Sequence, residues 1–292
     1  MQILSHIYAF CLHIYMFNQK LCQTITFVSR CDKLAVILHR NSLKPKGKKL
    51  KTERIMVQNK IINKVVALGD SVTKGVVLDG SRYKILSNAF LDQCKEELSL
   101  PIDNYARMGC TVERGMEILD KHESSIRESD ITFLEYGGTD SDFRWEEIAD
   151  APKLQHYPHT ELPLFMRTYQ QMIERVREWG SQPVLLSLPL MDHERFFDFV
   201  SRDMDEQSRS NVLGWLGGQV ERIRNYHDMY NLHLFRLAAQ ERVPIIDITS
   251  PFLVNTDNTP CLCEDGVHPS ALGHDMIATQ ILQNWKHLLS SF

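Results

Sequence analysis

Cysteine is sparse and irregular in these 292 residues. Three of the seven (Cys11, Cys22, Cys31) precede residue 56, and four (Cys94, Cys110, Cys261, Cys263) follow it. That pattern excludes a dense disulfide framework and leaves reduced thiols in a cytoplasmic protein as the expectation. Long hydrophobic runs are scarce as well. The opening MQILSHIYAFCLHIYMF is apolar and uncharged for only 17 residues, short of the ~20 a membrane span needs. It has no charged segment before it and no small-residue cleavage site after it, so it does not read as a signal peptide. No internal repeat or low-complexity tract interrupts the rest. Positive charge is in short supply beyond the first 55 residues: those carry ten Lys and Arg against two acidic residues, whereas 56–292 carry 23 against 35. An acidic body with a charge of −12 is a poor match for nucleic acid or an anionic membrane.

Residues 1–55 therefore read as a basic and apolar leader and 56–292 as the folded domain. KPKGKKLKTER reads as a solvated linker, with a polybasic membrane patch as the alternative, so membrane contact is expected only where the leader is present. Three readings of the leader stand side by side: a chain that really starts at Met56, a membrane anchor, and a disordered tail.

From Lys64 onward, short apolar runs alternate with amphipathic stretches, the pattern of βαβ units. Expected strands are Val65–Leu68, Ile102–Tyr105, Ile131–Tyr136, Val184–Leu188 and Ile245–Ile248. Expected helices cover about 81–98, 111–122, 161–179, 219–240 and 270–289. In the fourth, Val220, Ile223, Tyr226, Tyr230, Leu234 and Leu237 recur at the spacing of one buried helical face. The fold class implied is α/β: a three-layer α/β/α sandwich around a five-stranded parallel sheet.

In such sheets ligands bind beyond the carboxyl ends of the strands. Gly69-Asp70-Ser71 follows the first strand, Gly109 the second, YGGTDSDF the third, and EDGVHPS the fifth. A serine becomes a nucleophile when a base takes its proton, and a histidine serves best when a carboxylate fixes its tautomer. Ser71, His268 and Asp265 are the residues of this type. Each segment alone also reads as an ordinary turn. A phosphate-binding loop would need Gly-Lys-Ser/Thr, whereas the chain has Lys74-Gly75, and Gly-x-Ser-x-Gly occurs nowhere. A flavin-binding module would share the architecture.

Taken together, the GDS followed by TKG, the Gly109 turn, the GGTD and the DGVHP resemble the four blocks of the SGNH, or GDSL-type, serine hydrolases, in order and across 64–289. The resemblance implies a flavodoxin-like SGNH hydrolase fold and a serine esterase working through an acyl-enzyme. It implies Ser71 as nucleophile, His268 as base and Asp265 as its orienting carboxylate. It further implies an oxyanion hole from the backbone N–H groups of Ser71 and Gly109 and a side chain at position 139, where this sequence has Thr139 in place of the family's Asn. No cofactor, metal or nucleic acid is implied. The partner is a small-molecule ester: a carbohydrate acetyl ester, a lipid or a thioester. A non-catalytic binding module on the same fold is the alternative, with Thr139 as its motivation.

Three further features have a bland and a sharp reading each. Cys261, Cys263, His268 and His274 invite a metal, but their spacing is not that of a structural zinc site. His156 and His159 in QHYPHT read as a solvated turn rather than a metal pair. Phe196, Phe197, Phe199 and Trp215 form either a lid or acyl pocket, or a satellite core under a long loop.

Overall fold

The computed structural model describes residues 56–57, 60–254 and 259–290; the leader expectation falls outside them. Two short strands, β1 (Met56–Val57) and β2 (Lys60–Ile61), pair antiparallel ahead of the main sheet. The main sheet has five strands: β3 (Val65–Gly69), β6 (Ile102–Asn104), β7 (Ile131–Glu135), β8 (Gln182–Leu186) and β9 (Ile245–Ile246). All pair parallel, in the order β6-β3-β7-β8-β9. Each expected strand is present. Their runs are apolar without alternation because helices cover both faces, and every residue of β3 and β7 is buried.

Val65, Ala67, Ile131, Phe133, Val184 and Leu186 point to one face, where they pack with α2 (Phe90–Leu98) and α12 (Ala271–Ser290). Val66, Leu68, Leu134 and Leu185 point to the other, against α3 (Val112–Lys121), α7 (Leu162–Glu178) and α10 (Arg222–Glu241). The period of two in the strands thus feeds two separate cores, and each large side chain removed from water contributes roughly 1.5–3 kcal/mol. The chain crosses from one side of β3 to the other between β6 and β7, so the sheet's topological switch lies between β3 and β7.

The structure corrects the sequence reading at the first expected helix and chooses between the two readings of the insertion. The helix expected from residue 81 begins only at Phe90; before it, β4 (Val76–Asp79) and β5 (Arg82–Ile85) form a hairpin turning at Gly80-Ser81. Asp79-Gly80 between β-forming residues is the signal for that hairpin, and Gly80 takes a left-handed φ of 59°. Between β8 and α10, α8 (His193–Val200) and α9 (Glu206–Trp215) start at Asp192 and Asp205, whose carboxylates accept the backbone N–H of Arg195 and Ser208. Phe196 and Phe197 are buried there with Trp145 and Val212, and Trp215 packs beside them, which makes this a satellite core. Among the described residues, no helix is long and apolar enough to cross a membrane.

Candidate active site

Strand β3 ends where its neighbour requires glycine. A Cβ on Gly69 would lie 2.5 Å from Thr73 Oγ1 and 2.7 Å from the Glu135 carbonyl oxygen. The chain then turns into a single turn of helix, α1 (Ser71–Lys74), closed by Gly75 at φ 82°. Asp70 caps it: its Oδ1 accepts the Val72 N–H at 2.9 Å and leaves the Ser71 N–H uncommitted. Asn104, at the end of β6, holds the far side by donating from Nδ2 to the Thr73 carbonyl at 2.8 Å. Ser71 is thereby fixed at the carboxyl edge of the sheet, beside the topological switch.

Asp265 and His268 reach the same edge from the loop before α12. Gly266 lies between them at φ 71°, and a Cβ there would stand 2.6 Å from the Asp192 carbonyl oxygen. Asp265 is fully buried; its Oδ1 accepts the N–H groups of Val267 and His268, both at 3.1 Å, and its Oδ2 lies 2.7 Å from His268 Nδ1. Burial alone would raise this carboxyl, but the hydrogen bonds and charge of His268 outweigh it and hold Asp265 below the ordinary value. The other imidazole nitrogen, Nε2, lies 2.9 Å from Ser71 Oγ. With hydrogen on Nδ1, that nitrogen donates to Asp265 and Nε2 is free to accept the serine proton.

Two more carboxylates tie the loops together. The turn after β7 closes on Asp70: a Cβ on Gly138 would lie 3.1 Å from Asp70 Oδ2. Asp140 accepts the Val112 N–H at the start of α3 through Oδ1 at 2.9 Å and Oδ2 at 3.2 Å. The Ser71, Gly109 and Thr139 segments are therefore linked in series. Burial pushes the Asp140 carboxyl up to about 7. Gly109 adopts φ 65°, and the space a Cβ would take is open.

Tyr83 was not singled out by sequence, because its segment was read as helix. It projects from β5 so that its ring sits 5.1 Å from that of His268 and 6.4 Å from that of Phe199. Burial and the Asp265 carboxylate push its phenol well above the ordinary value. Phe199 thus belongs to the rim of the site, while Phe196 and Phe197 belong to the satellite core. That insertion also braces the loop that carries Asp265 and His268: Arg195 Nη2 donates to the carbonyls of Leu262 and Cys263, and Asp192 N–H donates to the Gly266 carbonyl at 2.8 Å.

Among the described residues, no three or more His, Cys, Asp or Glu side chains gather as a metal site. Cys263 Sγ accepts the Leu78 N–H and its thiol donates to the Pro269 carbonyl. His274 is buried and stacked on Phe90, and burial pushes it down to about 4. His156 is not solvated as expected: its Nε2 bonds the Ala151 carbonyl at 2.9 Å, and its ring meets Trp215 edge-on.

Residues 67–276 match the GDSL-like Lipase/Acylhydrolase family. The chain belongs to this family. It is a GDSL-type hydrolase acting on ester bonds. No curated protein matches it by sequence. Solved structures agree on the fold. A lipase/acylhydrolase from Enterococcus faecalis is 19% identical, with 77% of this chain and 96% of that one covered and a TM-score of 0.51. LAE5, an alpha/beta hydrolase enzyme from the metagenome of Lake Arreo, Spain, is 19% identical over 77% and 96%, at 0.54. A catalytic mutant of Axe2, an acetylxylan esterase from Geobacillus stearothermophilus, is 17% identical over 76% and 93%, at 0.53.

Proposed function

We propose that this GDSL-type hydrolase is a serine esterase in which Ser71 attacks the acyl carbon of a small-molecule ester. The observation that carries the reading is the chain of contacts from Ser71 Oγ to His268 Nε2 at 2.9 Å and from His268 Nδ1 to Asp265 Oδ2 at 2.7 Å. His268 takes the serine proton as Oγ bonds to the carbonyl carbon, then returns it to the departing alkoxide as the acyl-enzyme forms. Water attacks that acyl-enzyme by the same route, releasing the acid and free Ser71. The Ser71 and Gly109 N–H groups, with the Thr139 side chain, receive the oxyanion. The open space at Gly109 and the uncommitted Ser71 N–H support this assignment.

The substrate is an acyl ester of a carbohydrate, a lipid or a thiol, and no metal or cofactor takes part in this scheme. A cytoplasmic setting accords with four buried free cysteines, Cys94, Cys110, Cys261 and Cys263. The test is labelling with a fluorophosphonate probe, followed by an ester panel of graded acyl length. Ser71 is expected to carry the label, and Ser71→Ala to lose both label and turnover while keeping the fold, by ~10⁵–10⁶ as in a serine protease triad. An unlabelled Ser71, or a Ser71→Ala variant that turns over at the parent rate, would leave a binding module on the same fold.

A further inference from the structure

Directly beneath Ser71, two carboxyl groups are buried together. Asp70 and Glu135 are 2% and 1% exposed, and the parallel register that sets Gly69 opposite Glu135 brings the two side chains within hydrogen-bonding reach. Their partners differ. Asp70 accepts the Val72 N–H at 2.9 Å, lies against Gly138 in the turn after β7, and feels the charge of His268. Glu135 Oε2 accepts the Thr73 hydroxyl at 2.8 Å, while Oε1 is buried with no donor. An acceptor oxygen buried without a donor is destabilising unless the oxygen itself carries a proton.

We propose that Asp70 and Glu135 share one proton, carried on Glu135 Oε1 and donated to the Asp70 carboxylate, and that Glu135 is thereby a positioning residue for the nucleophile turn. The hydrogen bond and single charge let Asp70 hold the Val72 N–H while it packs on Gly138, which fixes the Ser71 turn against the loop after β7. The proposal rests on Ser71 being the nucleophile only for its kinetic consequence. Two adjacent carboxyls resist ionising together in such a place, and burial together with the charge of Asp70 raises Glu135 well above the ordinary value. The groups facing the pair are titratable or hydroxylic side chains from every element packed against it. They are Thr73 from α1, Tyr136 after β7, Tyr169 from α7, Cys110 and Asp140 from the neighbouring loops, and His268 across the crevice. When Glu135 loses its proton to solvent at alkaline pH, two like charges face each other under Ser71 and the turn loosens.

The first test needs no activity. Infrared spectra of the full chain at about pH 9, where Asp140 and Asp142, both raised to about 7, have ionised, should retain the carbonyl stretch of a protonated carboxylic acid. Glu135→Gln should lose that band, and its melting temperature should gain on the parent progressively as pH rises. With an ester in hand, Glu135→Gln should keep the neutral-pH rate, because its amide still donates to Asp70, and should extend activity to higher pH. Glu135→Ala should lower kcat by ~10-fold to ~100-fold with KM little changed. No acid band in the parent, or a band that survives in Glu135→Gln, would overturn the shared proton. A Gln variant whose melting temperature tracks the parent at every pH would do the same. An unlabelled Ser71 would overturn the esterase reading instead and leave the infrared result standing.

Discussion

Thr139 is the residue at which this chain departs from the family's four blocks, and its surroundings give the departure a physical meaning. Its segment closes on Asp70, since a Cβ on the preceding Gly138 would lie 3.1 Å from Asp70 Oδ2, and the donor considered for an oxyanion is its side chain. A threonine hydroxyl donates one hydrogen bond from a rotor that a carbonyl can divert, whereas an amide presents two fixed donors. Loss of a comparable donor in a serine protease lowers turnover by ~10²–10³. Thr139→Asn is therefore expected to raise kcat on the best ester, and Thr139→Val to lower it severalfold with KM nearly unchanged. Steady-state kinetics of the two variants decide it: a slower Asn variant together with an unaffected Val variant would remove position 139 from the oxyanion hole.

At the scale of elements, the β4–β5 hairpin and the α8–α9 insertion do what the sheet cannot. The sheet presents Ser71, but the loop holding Asp265 and His268 has no strand beneath it, and α8 braces it through Arg195, Asp192 and the close approach at Gly266. The hairpin then covers the imidazole with Tyr83. An aromatic contact of this kind is worth about 0.5–1.5 kcal/mol, equivalent to a few-fold to about tenfold in rate if it orders His268 for proton transfer. Tyr83→Ala should cost that much in kcat/KM, and Tyr83→Phe should keep most of it, since the ring rather than the hydroxyl makes the contact. Equal losses in the two variants would assign the effect to the hydroxyl facing Asp265.

For the whole molecule, the buried carboxyls set the dependence of stability on pH. Asp142 is raised from 3.8 to about 7 by burial, and it accepts Trp145 Nε1–H at 2.9 Å in the satellite core. Its folded value lies above its unfolded one, so the unfolded chain gives up this proton first. Stability from this group is fully present below about pH 4, falls as pH rises toward about 7, and is level beyond. Asp265 runs the other way: held below 3.8, it stabilises above that value and the contribution is lost as pH falls through the folded one. Asp142→Asn keeps an acceptor for Trp145 and removes the first slope. Its unfolding free energy should rise relative to the parent between about pH 4 and pH 7, by an amount on the order of a few kcal/mol. A constant difference across that range would show that Asp142 is ionised throughout.

The sequence by itself determined the five strands and most of the helices, and it singled out Ser71, Asp265 and His268 as candidates, because these rest on local patterns: apolar runs covered on both faces, helical spacing, and short blocks in a fixed order. It also carried the Asp79-Gly80 turn and the Asp192 and Asp205 caps, signals that were readable but outweighed by the helical pattern assigned around residue 81 and by the length of the insertion. Only the tertiary structure decided which carboxylates lie under Ser71, that Tyr83 covers His268 from 185 residues away in the chain, and that Phe199 joins the candidate site while Phe196 and Phe197 join a core. The reason is physical. Strand register places Glu135 beside Asp70, and parallel pairing across β3 and β7 is a contact between segments more than 60 residues apart. The charge state of a buried group follows from what surrounds it in space, and no pattern along the chain encodes those surroundings.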